Sequence, residues 1–285
     1  MMRVYVDGIG LIAPGLSGWA ASAPILAGTT PYAAAPLAIP VLEILPPAER
    51  RRTPVVVKLA IAAGCEALAN AGQPGAETAS VFTSSGGDGD VIHQICDSLA
   101  QPEREVSPTR FHNSVHNAPA GYWGIATGAH QPSTSLCAFD ASFAAGLIEA
   151  ATQVCVDGRK VLLVAYDAPY PEPLNGVRRI SAGFGIAMLL SPQQSEQSLC
   201  GLEIALVSNA TPITKSAQAD LENFRTNVPA ARALPLLSSI AKSENATVTM
   251  HYLGDNALHA VIKPCDFGFA YLHGLITACS TWSPR

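Results

Sequence analysis

Charge is what this sequence has least of. Of its 285 residues, 14% are charged, against about 25% in an average soluble protein. The net charge of −5 gives no basic surface for nucleic acid or for a membrane. Although 48% of the chain is apolar, no apolar run reaches the 18 or more residues of a membrane span. The seven Cys include no CxxC pair and are odd in number, which speaks against a disulfide framework and for reduced cytosolic thiols. A secretory signal is not expected either. Ala21-Ser22-Ala23 imitates a cleavage site, but Asp7 precedes the apolar run, Pro14 and Gly15 interrupt it, and only Arg3 is basic. A cytoplasmic protein is expected. The shortage of charge is what a surface partly covered by another chain would show, and a large core would account for part of it. The length suits one large domain or two small ones.

Metal chemistry has little to stand on. Asp88 and Asp90 lack the other ligand positions of a calcium loop and its closing Glu. His112 and His116 are four apart, a spacing that puts two ligands on one helix face, but no third ligand lies nearby. No metal and no cofactor is expected.

What is present alternates between strand and helix. Arg3–Asp7 reads as a strand, and Gly8-Ile9-Gly10 follows as a tight turn. It is not a dinucleotide fingerprint, because the third Gly and the distant acidic residue are missing. A nucleotide-binding Rossmann domain has only this Gly pair behind it. Residues 29–49 read as loop, and Arg50-Arg51-Arg52 as a solvated charge run. Val55–Gly72 has the 3,4 apolar spacing and terminal Gly of a helix. A strand at Ala79–Thr83 leads into the Gly-rich loop Ser84–Asp90. Lys160–Ala165 is a buried strand, apolar throughout from Val161, and Ile180–Ser191 closes the first half. A polar linker follows Pro192. Strands are expected at Leu202–Val207, Thr247–Tyr252 and Leu258–Ile262, with a helix at Pro229–Lys242.

The central stretch is Ser133–Gly158. It reads as a strand, a sharp turn, and a small-residue helix from Asp140 to about Val156. Asp140 is a preferred N-cap and Gly158 a good stop. A helix so poor in bulk and in polar surface is usually buried. Such a strand–turn–helix joint is where several enzyme folds place a nucleophile, since helix N–H groups there favour an anion.

This joint resembles the active-site elbow of the β-ketoacyl synthases, the condensing enzymes of the thiolase fold. Further segments resemble the same family: Gly8-Ile9-Gly10 with Pro14, the helix ending Glu66-Ala67-Leu68 and Ala71-Gly72, Asn117 with Ala120-Gly121, Gly128 with Pro132, and Gly183-Phe184-Gly185-Ile186-Ala187. The resemblance implies a layered α-β-α, thiolase-like fold. Residues 1–192 would be the ketosynthase-like half and 193–285 a truncated second half completing the unit. It also puts Asp140 where the catalytic Cys belongs and Phe184 where a Glu belongs. No His-Gly-Thr occurs; His251, His259 and His273 read as strand and surface residues. The implied protein is a chain-length factor, a non-catalytic heterodimer partner of a ketosynthase in polyketide or polyene-type biosynthesis. It would shape the acyl tunnel, with Phe111, Val115, His116, Asn117 and Phe139 as interface or tunnel candidates. An acyl carrier protein would be met through the complex, with Arg50–Arg52 one docking point.

Two other functions are consistent with the residues. One is an active condensing enzyme using Cys137, which needs a His pair this sequence does not display. The other is a non-enzymatic, acyl-binding homodimer. Asp140 itself has two readings, a plain helix cap or a carboxylate mimicking a bound acid group.

Overall fold

The computed structural model describes residues 1–265 except Asn209. Strand β1 (Met2–Ala13) meets β2 (Leu16–Ser17) in a tight hairpin, and helix α1 (Trp19–Ala27) follows. After a long loop come α2 (Pro47–Arg52), α3 (Val55–Ala71), β3 (Ala79–Thr83), α4 (Gly89–Ala100), α5 (Pro108–Asn113) and α6 (Ala118–Thr127). The centre is β4 (Ser133–Leu136), α7 (Ser142–Asp157), β5 (Val161–Asp167), α8 (Leu174–Val177) and β6 (Phe184–Ser191). Then follow β7 (Cys200–Ser208), α9 (Ala219–Asn227), α10 (Leu234–Lys242), β8 (Ala246–His251) and β9 (Asn256–Pro264).

The strands form one mixed sheet in the order β4-β3-β5-β6-β1-β7-β9-β8, with β2 paired to β1. β3 is parallel to both β4 and β5, whereas β6, β1, β7, β9 and β8 join through antiparallel pairs. The pattern of β5 decides the layering. Its alternate residues Leu162, Val164 and Tyr166 pack with α3 and α6, while Val161, Leu163 and Ala165 pack with α7. A strand covered on both faces must be apolar throughout, and β5 is buried along its whole length. Helices α1, α7 and α10 complete the second face, giving three layers.

The Gly8-Ile9-Gly10 stretch is neither a turn nor a nucleotide loop. It lies inside β1, directly beneath α3. A Cβ on Gly10 would stand 2.0 Å from the Ala63 carbonyl oxygen, and one on Gly8 2.2 Å from that of Ala67. Gly185 on β6 is shut in the same way by Leu59. These glycines let helix and sheet backbones approach more closely than any side chain permits. Glu66 fixes the contact: its carboxylate accepts the N–H groups of Leu11 and Trp19. Burial pushes its pKa up, opposed by those two hydrogen bonds.

The expected strand at Ala79–Thr83 and helix at Val55–Gly72 stand as read, and the three C-terminal strands shift by a residue or two at their ends. Helix α9 has no clear apolar spacing, whereas α4 carries it at Val91, Ile92, Ile95 and Leu99, although the expected elements include no helix there. α4 is announced by Asp88, whose side chain accepts the Val91 N–H at 3.1 Å. Arg50, Arg51 and Arg52 form the last turn of the short helix α2.

Candidate functional site

Three segments converge at the C-terminal end of β4. The first is the elbow. After β4 comes Cys137, then a single 3-10 turn over Phe139–Ala141, then α7. Phe139 has φ 52, a left-handed conformation that costs a non-glycine residue about 1–2 kcal/mol. Ser142 holds this turn shut. Its hydroxyl accepts the Ala138 N–H at 3.0 Å and lies 2.7 Å from the Phe139 carbonyl oxygen and 3.0 Å from that of Ser84.

Asp140 is therefore not the helix cap its position in the sequence implies. Its carboxylate turns away from the helix to two guanidinium groups, Arg178 at 2.9 Å and Arg232 at 3.1 Å. Charge-assisted bonds of this kind are about twice as strong as neutral ones, so the arginines take the carboxylate from the backbone. Arg178 also lies flat over the Phe139 ring, 3.5 Å from its centroid. Burial lowers the Arg232 pKa and Asp140 opposes that shift. Arg225, bound to Glu222, adds to the positive field.

The second segment is the Gly-rich loop. The Ser84 hydroxyl accepts the Gly87 N–H at 2.9 Å and stands 3.4 Å from His116 Nε2. The Cys137 thiol is 3.5 Å from the Ser85 carbonyl oxygen. Behind the loop, buried Asp167 accepts from the Ser85 N–H and hydroxyl and from the Ala230 N–H. Burial raises its pKa to about 6 despite those bonds and the nearby Arg178. Asp167 thus ties β5, the Gly-rich loop and the segment after α9 to one point.

The third segment follows α5. Phe111 is 68% exposed, Val115 and Asn117 are exposed, and His116 is half-buried. Burial holds the His116 pKa below its ordinary value. His112 sits on α5 with its ring against Tyr122, whereas His116 lies beyond the helix end. The two do not share a helix face. Among the described residues no group of three or more His, Cys, Asp or Glu is placed to hold a metal.

The structure brings His116, Cys137, Phe139 and Asp140 together around Ser84, Ser85 and Ser142. Sequence reasoning missed Arg178, Arg232, Ser142 and Asp167, which supply the charge and the hydrogen bonds of the site. His251, at the end of β8, feels Arg232, Arg225 and Asp140, and its pKa is lowered first by burial. It stands in the electrostatic field of the elbow, although its sequence context gave no sign of this. His259 is half-buried on β9, and His273 lies outside the described residues. Phe184 is fully buried at the start of β6. Among the described residues Cys137 has no imidazole in hydrogen-bond contact.

The nearest chemical consequence is negative. A carboxylate whose oxygens are engaged by two guanidinium groups is a poor nucleophile, and among the described residues the Cys137 thiol is seen against the Ser85 carbonyl oxygen and not against a side-chain base. No helix among the described residues is long and apolar enough to cross a membrane.

Comparison with known proteins agrees with this geometry. Among curated proteins none matches the sequence. Among solved structures, one described as a ketosynthase in complex with its chain length factor, from Xenorhabdus doucetiae, matches at 25% identity and TM-score 0.69. The match covers 92% of this chain and all of that one. The ishigamide ketosynthase/chain length factor matches at 15% identity and TM-score 0.68, covering 93% of this chain and 99% of that one. A β-ketoacyl synthase from Burkholderia phymatum matches at 12% identity and TM-score 0.64, covering 93% and 100%. The α-β-α fold expected from the elbow and its neighbouring segments is thus the thiolase-like fold of ketosynthases. Residues 24–250 match the family described as β-ketoacyl synthase, N-terminal domain, and the chain belongs to that family.

Proposed function

We propose that this chain is a non-acylating, chain-length-factor-type partner of a β-ketoacyl synthase. In this reading Asp140 stands where the family's nucleophilic Cys would be, and residues 193–285 complete the unit begun by 1–192. The observation that carries the proposal is the Asp140 carboxylate locked between Arg178 and Arg232 at the joint of strand and helix. Catalysis would then belong to a companion chain, with which this one forms a heterodimer that shapes the acyl tunnel of a polyketide or polyene pathway. An acyl carrier protein would dock on the complex. Two similar structures are of ketosynthases with chain length factors, which supports the partner reading.

The sheet supports it too. β4 is one of the two edge strands of the sheet and among the described residues pairs with β3 alone. An edge of that kind is a template for a strand from another chain. Obligate interfaces bury about 2,000–5,000 Å² and are apolar, in keeping with a chain of which 14% is charged.

Cys137 favours a second reading. Its thiol is exposed at the end of β4, where a condensing enzyme would use it. Intact-mass measurement after incubation with an acyl thioester separates the two. The partner reading predicts no adduct on the isolated chain and a stable complex with a co-expressed ketosynthase. An acylated Cys137, or a chain that remains a homodimer in the presence of every such ketosynthase, would overturn it.

A further inference from the structure

We infer that Phe139 is a preorganised anchor for the ketosynthase-type subunit, and that Arg178 is the residue that positions it. The inference rests on the partner reading above and names its point of contact.

Two unfavourable choices coincide at this residue. Its backbone is left-handed, at φ 52, which suits glycine and not a bulky side chain. Its ring is 57% exposed, although burial of such a ring is what ordinarily stabilises it. Backbone strain that the fold over-determines tends to mark a working site. Here the over-determination is visible. The Ser142 hydroxyl holds the turn from below, at 2.7 Å from the Phe139 carbonyl oxygen. Arg178 covers one face of the ring at 3.5 Å. Asp140 fixes Arg178, and Arg232 fixes Asp140.

The result is an aromatic side chain held against Arg178 and still 57% exposed. Such a group loses little freedom on docking, and that loss is a main cost of association. Aromatic residues are enriched at the buried centres of interfaces. The surroundings suit an apolar occupant. Cys137 is exposed beside the turn, and Ser84 joins the elbow to His116, its carbonyl oxygen accepting from the Ser142 hydroxyl and its own hydroxyl facing His116, next to exposed Val115. His116 is half-buried with its pKa held low, so it adds no charge at neutral pH. Asp140 is shared between Arg178 and Arg232, so the base of the ring keeps a net positive charge. The fitting occupant is thus an apolar hollow on the ketosynthase-type chain for the ring, rimmed by carboxylate or carbonyl oxygens that complement the two arginines.

The test uses the full chain co-expressed with each ketosynthase of its source genome, with dissociation constants measured for purified pairs. Four variants are compared: Phe139→Gly, Arg178→Ala, Arg178→Lys, and Phe139→Gly with Arg178→Ala. Phe139→Gly is expected to weaken binding by about tenfold or more, the range of an interface anchor. Its melting temperature should be unchanged or raised, since Gly accepts φ 52. Arg178→Lys keeps a cation for Asp140 but not the flat stack, and it should weaken binding as Arg178→Ala does. The double variant should bind no more weakly than Phe139→Gly alone. Binding by Phe139→Gly within threefold of the unchanged chain, or losses that multiply in the double variant, would overturn the inference alone. Loss of self-association in Phe139→Gly with ketosynthase binding intact would do the same. An unchanged chain that takes no ketosynthase at all removes the partner reading, and this anchor with it.

Discussion

Replacing Asp140 by Ala tests the centre of the site. The carboxylate is 39% exposed, and its partners Arg178 and Arg232 are 21% and 19% exposed. At an effective dielectric of about 20, unit charges about 4 Å apart attract by about 4 kcal/mol. Solvent and ordering entropy discount that heavily: exposed pairs contribute about 0.2–1 kcal/mol, whereas breaking a fully buried pair costs about 3–5. Partial burial places each pair near 1 kcal/mol and the two together near 2–3 kcal/mol. For a chain this long, 1 kcal/mol moves the melting temperature by about 2–4 °C, so a fall of about 4–12 °C is expected. A helix cap would cost about 0.5–2 kcal/mol, so the magnitude alone does not decide between the two roles. Coupling does. If Asp140 works by neutralising arginines, its removal should cost about 1–2 kcal/mol less when Arg178 and Arg232 are already Ala. Urea unfolding of the single, double and triple variants, followed by circular dichroism, measures this. An Asp140→Ala cost that is the same in both backgrounds would refute the clamp and restore the cap.

Two further outcomes follow from the packing and the charges. Gly10→Ala puts a Cβ 2.0 Å from a backbone oxygen of α3, so neither side can yield by rotating a side chain. Overpacking of this kind costs about 1–3 kcal/mol or more, and the variant should be insoluble or melt well below the unchanged chain. An unaltered melting curve would show that α3 does not press on β1 as described. Asp167 gives a pH dependence. Its folded pKa, about 6, lies above the roughly 3.9 of an unfolded Asp. The folded state therefore keeps a proton that the unfolded state has lost between those values. The contribution is fully present below about pH 4 and is lost as pH rises through 6, by about 3 kcal/mol. Unfolding free energies between pH 4 and 7 should fall along that slope in the unchanged chain and less steeply in Asp167→Asn. Parallel profiles for the two proteins would rule it out.

The sequence by itself determined the long, strongly patterned elements and their order. Period-3.6 spacing in Val55–Ala71, the apolar run of β5 and the stop at Gly158 are local signals, read over a few residues at a time. The family and the α-β-α layering followed from the resemblance of the elbow and its neighbouring segments to the ketosynthases. The same resemblance placed Asp140 at the joint. Only the tertiary structure decided what Asp140 does. Its partners are Arg178, 38 residues away in the chain, and Arg232, which comes from the segment after α9. No periodicity encodes a contact between an elbow and two distant arginines. Gly8 and Gly10 show the same division. Their conformation was read as a turn because glycine usually means one, but the helix that settles against them arrives from more than fifty residues on, and close approach of two backbones has no local signature.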